Sequence, residues 1–215
     1  MGMCLGRRKS MEFPENNIRN MEQPKQYSVP IIFVIGAPGV GKRDLGRRLS
    51  AKYGFFMIST RDLLKQEIEN GTEKGQKFES IMKEGQNVPA SDVVPMVEEQ
   101  MMSQPNAMGF LIVGFPRDEG QATMFNEEVK QPTLVLHLQV KRDVLVERAK
   151  NGTAKNDQNS SKLSGQINSY IDTISSVIEP NKTVTAVIDA NEKNKDEIFQ
   201  AAEKEIDNHT KKSET

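Results

Sequence analysis

The chain has 215 residues, of which 36% are hydrophobic and 27% are charged, and its formal net charge is -1. This size and balance suit one globular domain with its own core, and they exclude a general attraction to nucleic acid or to an anionic membrane. The only cysteine is Cys4 and no stretch approaches the roughly 20 apolar residues of a membrane span, so we expect no internal disulfide and a place in the cytoplasm.

The N-terminal segment, residues 1–28, predicts a disordered tail because it is rich in Asn, Glu, Lys and Arg and has no apolar period. Gly2 would become terminal if the initiator methionine were removed, which is the position that N-myristoylation requires, and Cys4 is a candidate for palmitoylation. Two acyl chains next to the basic residues 7–9 would hold the chain at a membrane, whereas one chain binds weakly. Gly6 stands where the motif usually has Ser or Thr, so an unmodified tail is the alternative.

A phosphate-binding loop is the clearest motif in the chain. The β-branched apolar run 31–35 is typical of a strand buried on both faces, and helical spacing begins at Lys42. Between them, the first seven positions of the phosphate-loop pattern are filled by Gly36, Ala37, Pro38, Gly39, Val40, Gly41 and Lys42. Backbone N–H groups of such a loop surround an anion, and the lysine reaches the outer phosphates. The pattern therefore predicts a nucleotide-phosphate site, with an ordinary Gly/Pro turn as the alternative.

Helices and strands alternate through the rest of the chain. Helical spacing predicts helices over 42–53, 62–70, 74–84, 91–103, 143–150, 163–178 and 196–206. Apolar runs predict strands over 55–58, 110–113, 133–139 and 184–188. The polar stretch 151–166 is expected to be poorly ordered and residues 209–215 to fray, which leaves a folded domain over 29–208. The alternation predicts an α/β fold of three layers, a parallel β-sheet with helices on both faces and ligands at the carboxyl ends of the strands.

Four motifs in the same order resemble the adenylate kinase family of nucleoside monophosphate kinases. The family's loop reads Gly-x-Pro-Gly-x-Gly-Lys-Gly-Thr, and the run 58–64 is similar to its Leu-Ser-Thr-Gly-Asp-Leu-Leu. The run 81–89 resembles the segment that closes the monophosphate-binding lobe, and 109–117 resembles Gly-Phe-Leu-Ile-Asp-Gly-Phe-Pro-Arg. The resemblance runs from about residue 31 to residue 206. It implies a P-loop fold with a helical monophosphate-binding lobe, a short lid at about 151–166, and transfer of the γ-phosphate of MgATP to a nucleoside monophosphate.

Several positions keep a residue suited to that function. The resemblance implies that Lys42 and Arg117 are the catalytic residues if the protein is active, and that Arg148 packs on the ATP base. It assigns the AMP site to Thr60, Lys65, Arg117 and Gln121. Lys65 replaces an arginine, so it keeps the charge but loses the two-pronged grip on phosphate. For each of these residues the alternative is an ordinary surface or helix-end side chain.

Other positions depart from the family, and all of these departures are expected to weaken phosphoryl transfer. Val113 replaces an aspartate that helps to hold Mg²⁺, so Mg²⁺ is expected as a cofactor only if the protein is active. Arg43 and Asp44 replace glycine and threonine after the loop lysine, and the Asp44 carboxylate is expected to repel phosphate. Asn151 and Gln166 stand where the lid supplies arginines. One arginine on the transferring group can be worth about 10³–10⁵ in rate, so little turnover is expected.

The sequence therefore predicts an adenylate-kinase-like nucleotide binder whose phosphotransfer is weak or lost, a pseudoenzyme with a regulatory or scaffold role. Its ligands would be ATP or another nucleotide, AMP, and a protein partner that the sequence does not identify. The alternative is an active kinase that transfers the ATP γ-phosphate to AMP. A third hypothesis is that the chain binds no nucleotide and uses its fold only for interaction with proteins.

Overall fold

A five-stranded sheet forms the centre of the computed structural model, which describes residues 27–151, 157–191 and 193–210. The strands of this described part are β1 (Ile31–Gly36), β2 (Phe56–Ser59), β3 (Phe110–Val113), β4 (Leu134–Gln139) and β5 (Thr185–Asp189). Their order is β2-β3-β1-β4-β5, and each neighbouring pair is parallel. β1 and β3 are buried along their whole length, which explains their continuous apolar runs.

Helices cover both faces of this sheet and confirm the predicted three-layer α/β fold. Within the described residues they are α1 (Lys42–Tyr53), α2 (Thr60–Glu69), α3 (Glu73–Lys83), α4 (Ala90–Met102), α5 (Glu119–Glu128), α6 (Arg142–Asn151), α7 (Asp157–Ile178) and α8 (Lys195–Thr210). A 3-10 helix, Glu179–Val184, leads from α7 into β5. Apolar side chains of α1 and α8 form one core with the sheet, and those of α4, α5 and the start of α2 form the core on the other face. No helix in the described ranges is both long enough and apolar enough to span a bilayer.

The ordered chain extends beyond the predicted bounds at several places. The predicted tail ends at residue 28, but the ring of Tyr27 already packs edge-on against Phe110 with centroids 5.8 Å apart. His209 and Thr210, which were expected to fray, continue α8, and the Thr210 hydroxyl donates to the Ile206 carbonyl at 2.8 Å. Polar side chains on the last turn of a helix therefore did not end it here.

The predicted lid overlaps the start of a long helix. α7 begins at Asp157, six residues before the predicted start at Leu163, so residues 157–166 of the predicted lid are helical. Residues 152–156 lie outside the described part of the chain, as do residues 1–26 with Gly2 and Cys4. The disorder and acylation predicted for these segments therefore stay predictions.

Candidate nucleotide-phosphate site

The loop between β1 and α1 depends on glycines for two different reasons. Gly41 caps α1 with φ 95° and ψ 13°, a left-handed conformation that other residues adopt only at a cost. Gly36 lies where β1 passes β4, and a Cβ atom at this position would be only 2.9 Å from the Leu138 carbonyl oxygen. A side chain at either position would displace the loop from its path between the central strand and the helix.

Lys42 begins α1 and folds back onto this loop. Its Nζ donates hydrogen bonds to the carbonyl oxygens of Gly36 at 2.6 Å and Ala37 at 2.8 Å, and the residue is half-buried. Burial, followed by the nearby charges of Arg117 and Arg61, lowers the pKa of Lys42 to about 7. A phosphate in the loop would favour the charged lysine and would therefore raise this pKa.

Arg117 lies beyond the carboxyl end of β3, the strand that pairs with β1. Its Nε donates to the Gly114 carbonyl at 3.4 Å, and its backbone N–H donates to the side-chain oxygen of Gln121 at 2.9 Å. Much of the residue is open to solvent, yet the protein around the guanidinium and the nearby charge of Arg61 lower the pKa of Arg117. An arginine stays protonated at neutral pH despite such a shift, so this group supplies a fixed positive charge.

Sequence reasoning missed Arg61, whose charge acts on both Lys42 and Arg117. The signal was present in the sequence, because Arg61 stands where the resembled motif Leu-Ser-Thr-Gly-Asp-Leu-Leu has glycine. The structure places it in the first turn of α2, directly after β2, at the same edge of the sheet as the phosphate loop. Three cations therefore share this edge.

The other residues assigned to AMP lie in contrasting surroundings. The Thr60 hydroxyl is buried and donates to the Gly114 carbonyl at 3.1 Å. Gln121 is 1% exposed, and besides accepting from Arg117 its side-chain amide donates to the Val88 carbonyl at 2.9 Å. Contact between this amide and a base would require one of these bonds to break. Lys65 is exposed and lies 3.7 Å from a carboxylate oxygen one turn along α2, and the assignment of all these residues to AMP stays a prediction.

Val113 and Asp44 are the residues at this edge that bear on metal and phosphate binding. Val113 is 5% exposed and packs against α1, where a Cβ on Gly46 would lie 2.8 Å from its Cγ2. The Asp44 carboxylate lies 3.1 Å from the Lys195 ammonium at the start of α8, so its charge is partly compensated. The described residues contain no group of three His, Cys, Asp or Glu side chains that could hold a metal. Val113 itself offers Mg²⁺ no oxygen ligand.

The residues assigned to the lid lie at the boundary of the described chain. The backbone of α6 includes Arg148 and Asn151, while their side chains are outside the described part. Gln166 is exposed on α7, next to the fully buried Ile167. Its neutral amide provides no net charge to a phosphate.

Comparison with known proteins relates this arrangement to one family. The family model described as "Adenylate kinase" matches residues 34–186, a span that includes both Lys42 and Arg117. The chain is 34% identical to adenylate kinase isoenzyme 1 of Gallus gallus over 175 residues, which cover 79% of this chain and 90% of that protein. It is 30% identical to the Caenorhabditis elegans protein of the same name over 199 residues, with 90% and 95% covered. The similar human protein is 37% identical over 127 residues, with 59% and 66% covered.

Proposed function

The chain belongs to the adenylate kinase family, and from this premise we propose that it binds a nucleotide at the loop 36–42 while transferring phosphate weakly or not at all. The observation that carries the proposal is that residues suited to binding phosphate are retained, whereas a residue suited to holding the metal is not. Lys42 and Arg117, the cations that would hold phosphate, are present, whereas Val113 provides no oxygen where the resemblance implies a metal-linked aspartate. Binding without efficient transfer fits a regulatory or scaffold role.

Nucleotide binding is supported by the geometry of the loop. Lys42 already donates to two carbonyl oxygens, so a phosphate would replace weak neutral acceptors with a charged one. The N-terminus of α1 contributes its partial positive charge at the same point. These features stabilise an anion without requiring a metal ion held by the protein.

The proposal of weak phosphoryl transfer is supported by a neutral residue where the resemblance implies a cation. Phosphoryl transfer relies on positioning and on cations that meet charge developing on the three equatorial oxygens. Gln166 is neutral, and the resemblance places it where an arginine meets that group. A neutral amide is a weaker partner for this charge than a guanidinium.

The rival function is an active kinase that uses AMP, and the retained Arg117 and Thr60 favour it. Purified full chain would be assayed for turnover with MgATP and AMP, CMP, UMP or GMP, and for binding of a fluorescent ATP analogue, beside Lys42→Ala as the control. We expect binding by the wild type that is lost in Lys42→Ala, and little turnover. Turnover at a kcat of about 10 s⁻¹ or more would establish the rival. Equal binding by both proteins would contradict the role of Lys42 in the proposed site, and binding by neither would leave only the fold and its protein interactions.

A further inference from the structure

Arg61 lies at the edge of the sheet where the phosphate loop opens. It is the second residue of α2, and Ser59, which ends β2, is paired in register with Val113 at the end of β3. Since β3 lies beside β1, the first turn of α2 and the phosphate loop belong to the same edge. Arg61 is exposed there, so its guanidinium is accessible to a ligand.

The residue before Arg61 contacts the same group as Arg117. The Thr60 hydroxyl donates to the Gly114 carbonyl at 3.1 Å, and Arg117 Nε donates to that carbonyl at 3.4 Å. One backbone oxygen therefore ties the start of α2 to the arginine of the proposed phosphate site.

The residue after Arg61 contacts the first turn of α1. Asp62 forms an ion pair with Arg43, the residue that follows Lys42 in α1. The two neighbours of Arg61 thus connect the start of α2 to the first turn of α1 and to the Arg117 segment.

Arg61, Lys42 and Arg117 form a cationic cluster without an internal anion. Among the described residues, none of the three has a carboxylate within ion-pair distance, whereas Arg43 is paired with Asp62. The charge of Arg61 lowers the pKa of both other groups, as expected for like charges at the same edge of the sheet. Like charges held together in this way favour binding of an anion that neutralises them.

We propose that Arg61 is a phosphate-binding residue peculiar to this chain, which completes a three-cation site with Lys42 and Arg117. The ligand is a phosphoryl group of a bound nucleotide, so this inference rests on the proposed function. A planar guanidinium can grip such a group in two-pronged fashion, which the ammonium of Lys65 cannot. The charge thus lies one helical turn earlier on α2 than the resemblance implies.

The test compares charge removal at Arg61 with charge removal at Arg47, an exposed arginine one helical turn beyond Arg43 on α1. Full-length wild type, Arg61→Gln, Arg61→Lys, Arg47→Gln and Lys42→Ala would be titrated by calorimetry with ATP and separately with AMP. We expect Arg61→Gln to weaken at least one of the two ligands by about tenfold or more, Arg61→Lys to recover part of the loss, and Arg47→Gln to stay within about twofold. The ligand that weakens identifies which nucleotide Arg61 meets.

The outcomes of these titrations distinguish the role of Arg61 from the proposed nucleotide binding on which it rests. If the wild type binds and Lys42→Ala does not, but Arg61→Gln matches Arg47→Gln for both ligands, the role of Arg61 is overturned while nucleotide binding stands. If the wild type binds neither nucleotide, both are overturned. Thermal unfolding of Arg61→Gln controls for folding, and Arg61→Lys, which keeps the charge, gives the second variant on which affinity is read.

Discussion

At the scale of single residues, charge pairing decides what the phosphate site can do. Asp44 lies 3.1 Å from Lys195, in an exposed pair worth about 1 kcal/mol or less. The repulsion that this carboxylate exerts on a phosphate is therefore reduced but not removed. Arg43 is held by Asp62, so its charge is less available to a ligand than its position beside Lys42 implies.

Lys42 provides a prediction that depends on pH. Its pKa is lowered to about 7 in the ligand-free protein, and a bound phosphate favours the protonated form. If binding restores an ordinary lysine pKa, the protein takes up about 0.9 proton per ATP at pH 8 and much less below pH 6, where Lys42 is already charged. Calorimetry in buffers of different ionisation enthalpy measures this uptake.

Lys42→Arg is the matched control for that measurement, because an arginine stays charged throughout this pH range. The uptake should disappear in the variant, while any proton released by the nucleotide itself remains. Equal uptake by the two proteins at pH 8 would show that Lys42 is not the titrating group.

At the scale of helices and strands, the close approach of α2 and α3 shapes the lobe that carries Arg61. The Thr72 hydroxyl caps α3 by accepting from the Gly75 N–H at 2.9 Å. A Cβ at Gly75 would collide with the backbone carbonyl of Glu67 on α2. Backbone atoms cannot turn aside as a flexible side chain can, so glycine is required where these helices meet.

Gly75→Ala should therefore destabilise the protein by about 1–3 kcal/mol, because the two helices must separate. Gly165→Ala is the matched control, since Gly165 is exposed on α7 and nothing lies within 4 Å of its added Cβ. That change should be stabilising by up to about 1 kcal/mol through helix propensity. Urea unfolding of both variants measures the difference, and an unchanged midpoint for Gly75→Ala would refute the tight approach.

The elements differ in how far local pattern determines them. β1, the phosphate loop and α1 were predictable because apolar runs and glycine spacing are local signals. α5 was missed because Gly120 and scattered polar residues obscure its period. Asp118 caps it by accepting from the Gln121 N–H at 2.9 Å, and Phe125 is fully buried against the sheet. The cap is a local signal, whereas the burial of Phe125 becomes visible only when distant parts of the chain meet.

Within the candidate site, too, residues in local motifs were predictable and long-range contacts were not. Lys42 and Arg117 follow from motifs, so sequence reasoning found them. The environment of Gln121 depends on Val88, more than 30 residues away along the chain, and the partner of Asp44 lies on the last helix. No local pattern could have revealed either contact.

At the scale of the whole molecule, the N-terminal segment provides a prediction independent of the fold. Gly2 and Cys4 lie outside the described residues, so acylation rests on their positions beside the basic residues 7–9. Two acyl chains would hold the protein at membranes, whereas Gly2→Ala would remove one and release it. Fractionation of both proteins from eukaryotic cells measures this. If the wild type is found entirely in the soluble fraction, the acylation prediction is wrong.

Phosphoryl transfer would require residues from several helices and loops, so restoring one of these residues should raise turnover little. The loop lies between β1 and α1, Arg61 and Arg117 follow β2 and β3, and Gln166 is on α7. Residues that act as one unit have non-additive effects, because each contributes fully only when the others are placed. Gln166→Arg alone should therefore barely raise turnover.

A combined variant should restore more turnover than any single change, and it consists of Asn151→Arg, Gln166→Arg, Val113→Asp, Arg43→Gly and Asp44→Thr. Val113→Asp alone should cost stability without gain, since it places a carboxylate in the core against Gly46 on α1. In the combined variant, Asp44→Thr removes the neighbouring negative charge, and two new guanidiniums meet the charge of the transition state. Coupled turnover with MgATP and AMP, read beside thermal unfolding of each variant, measures the gain. A folded combined variant that turns over no faster than Gln166→Arg would show that these five positions are not what limits transfer.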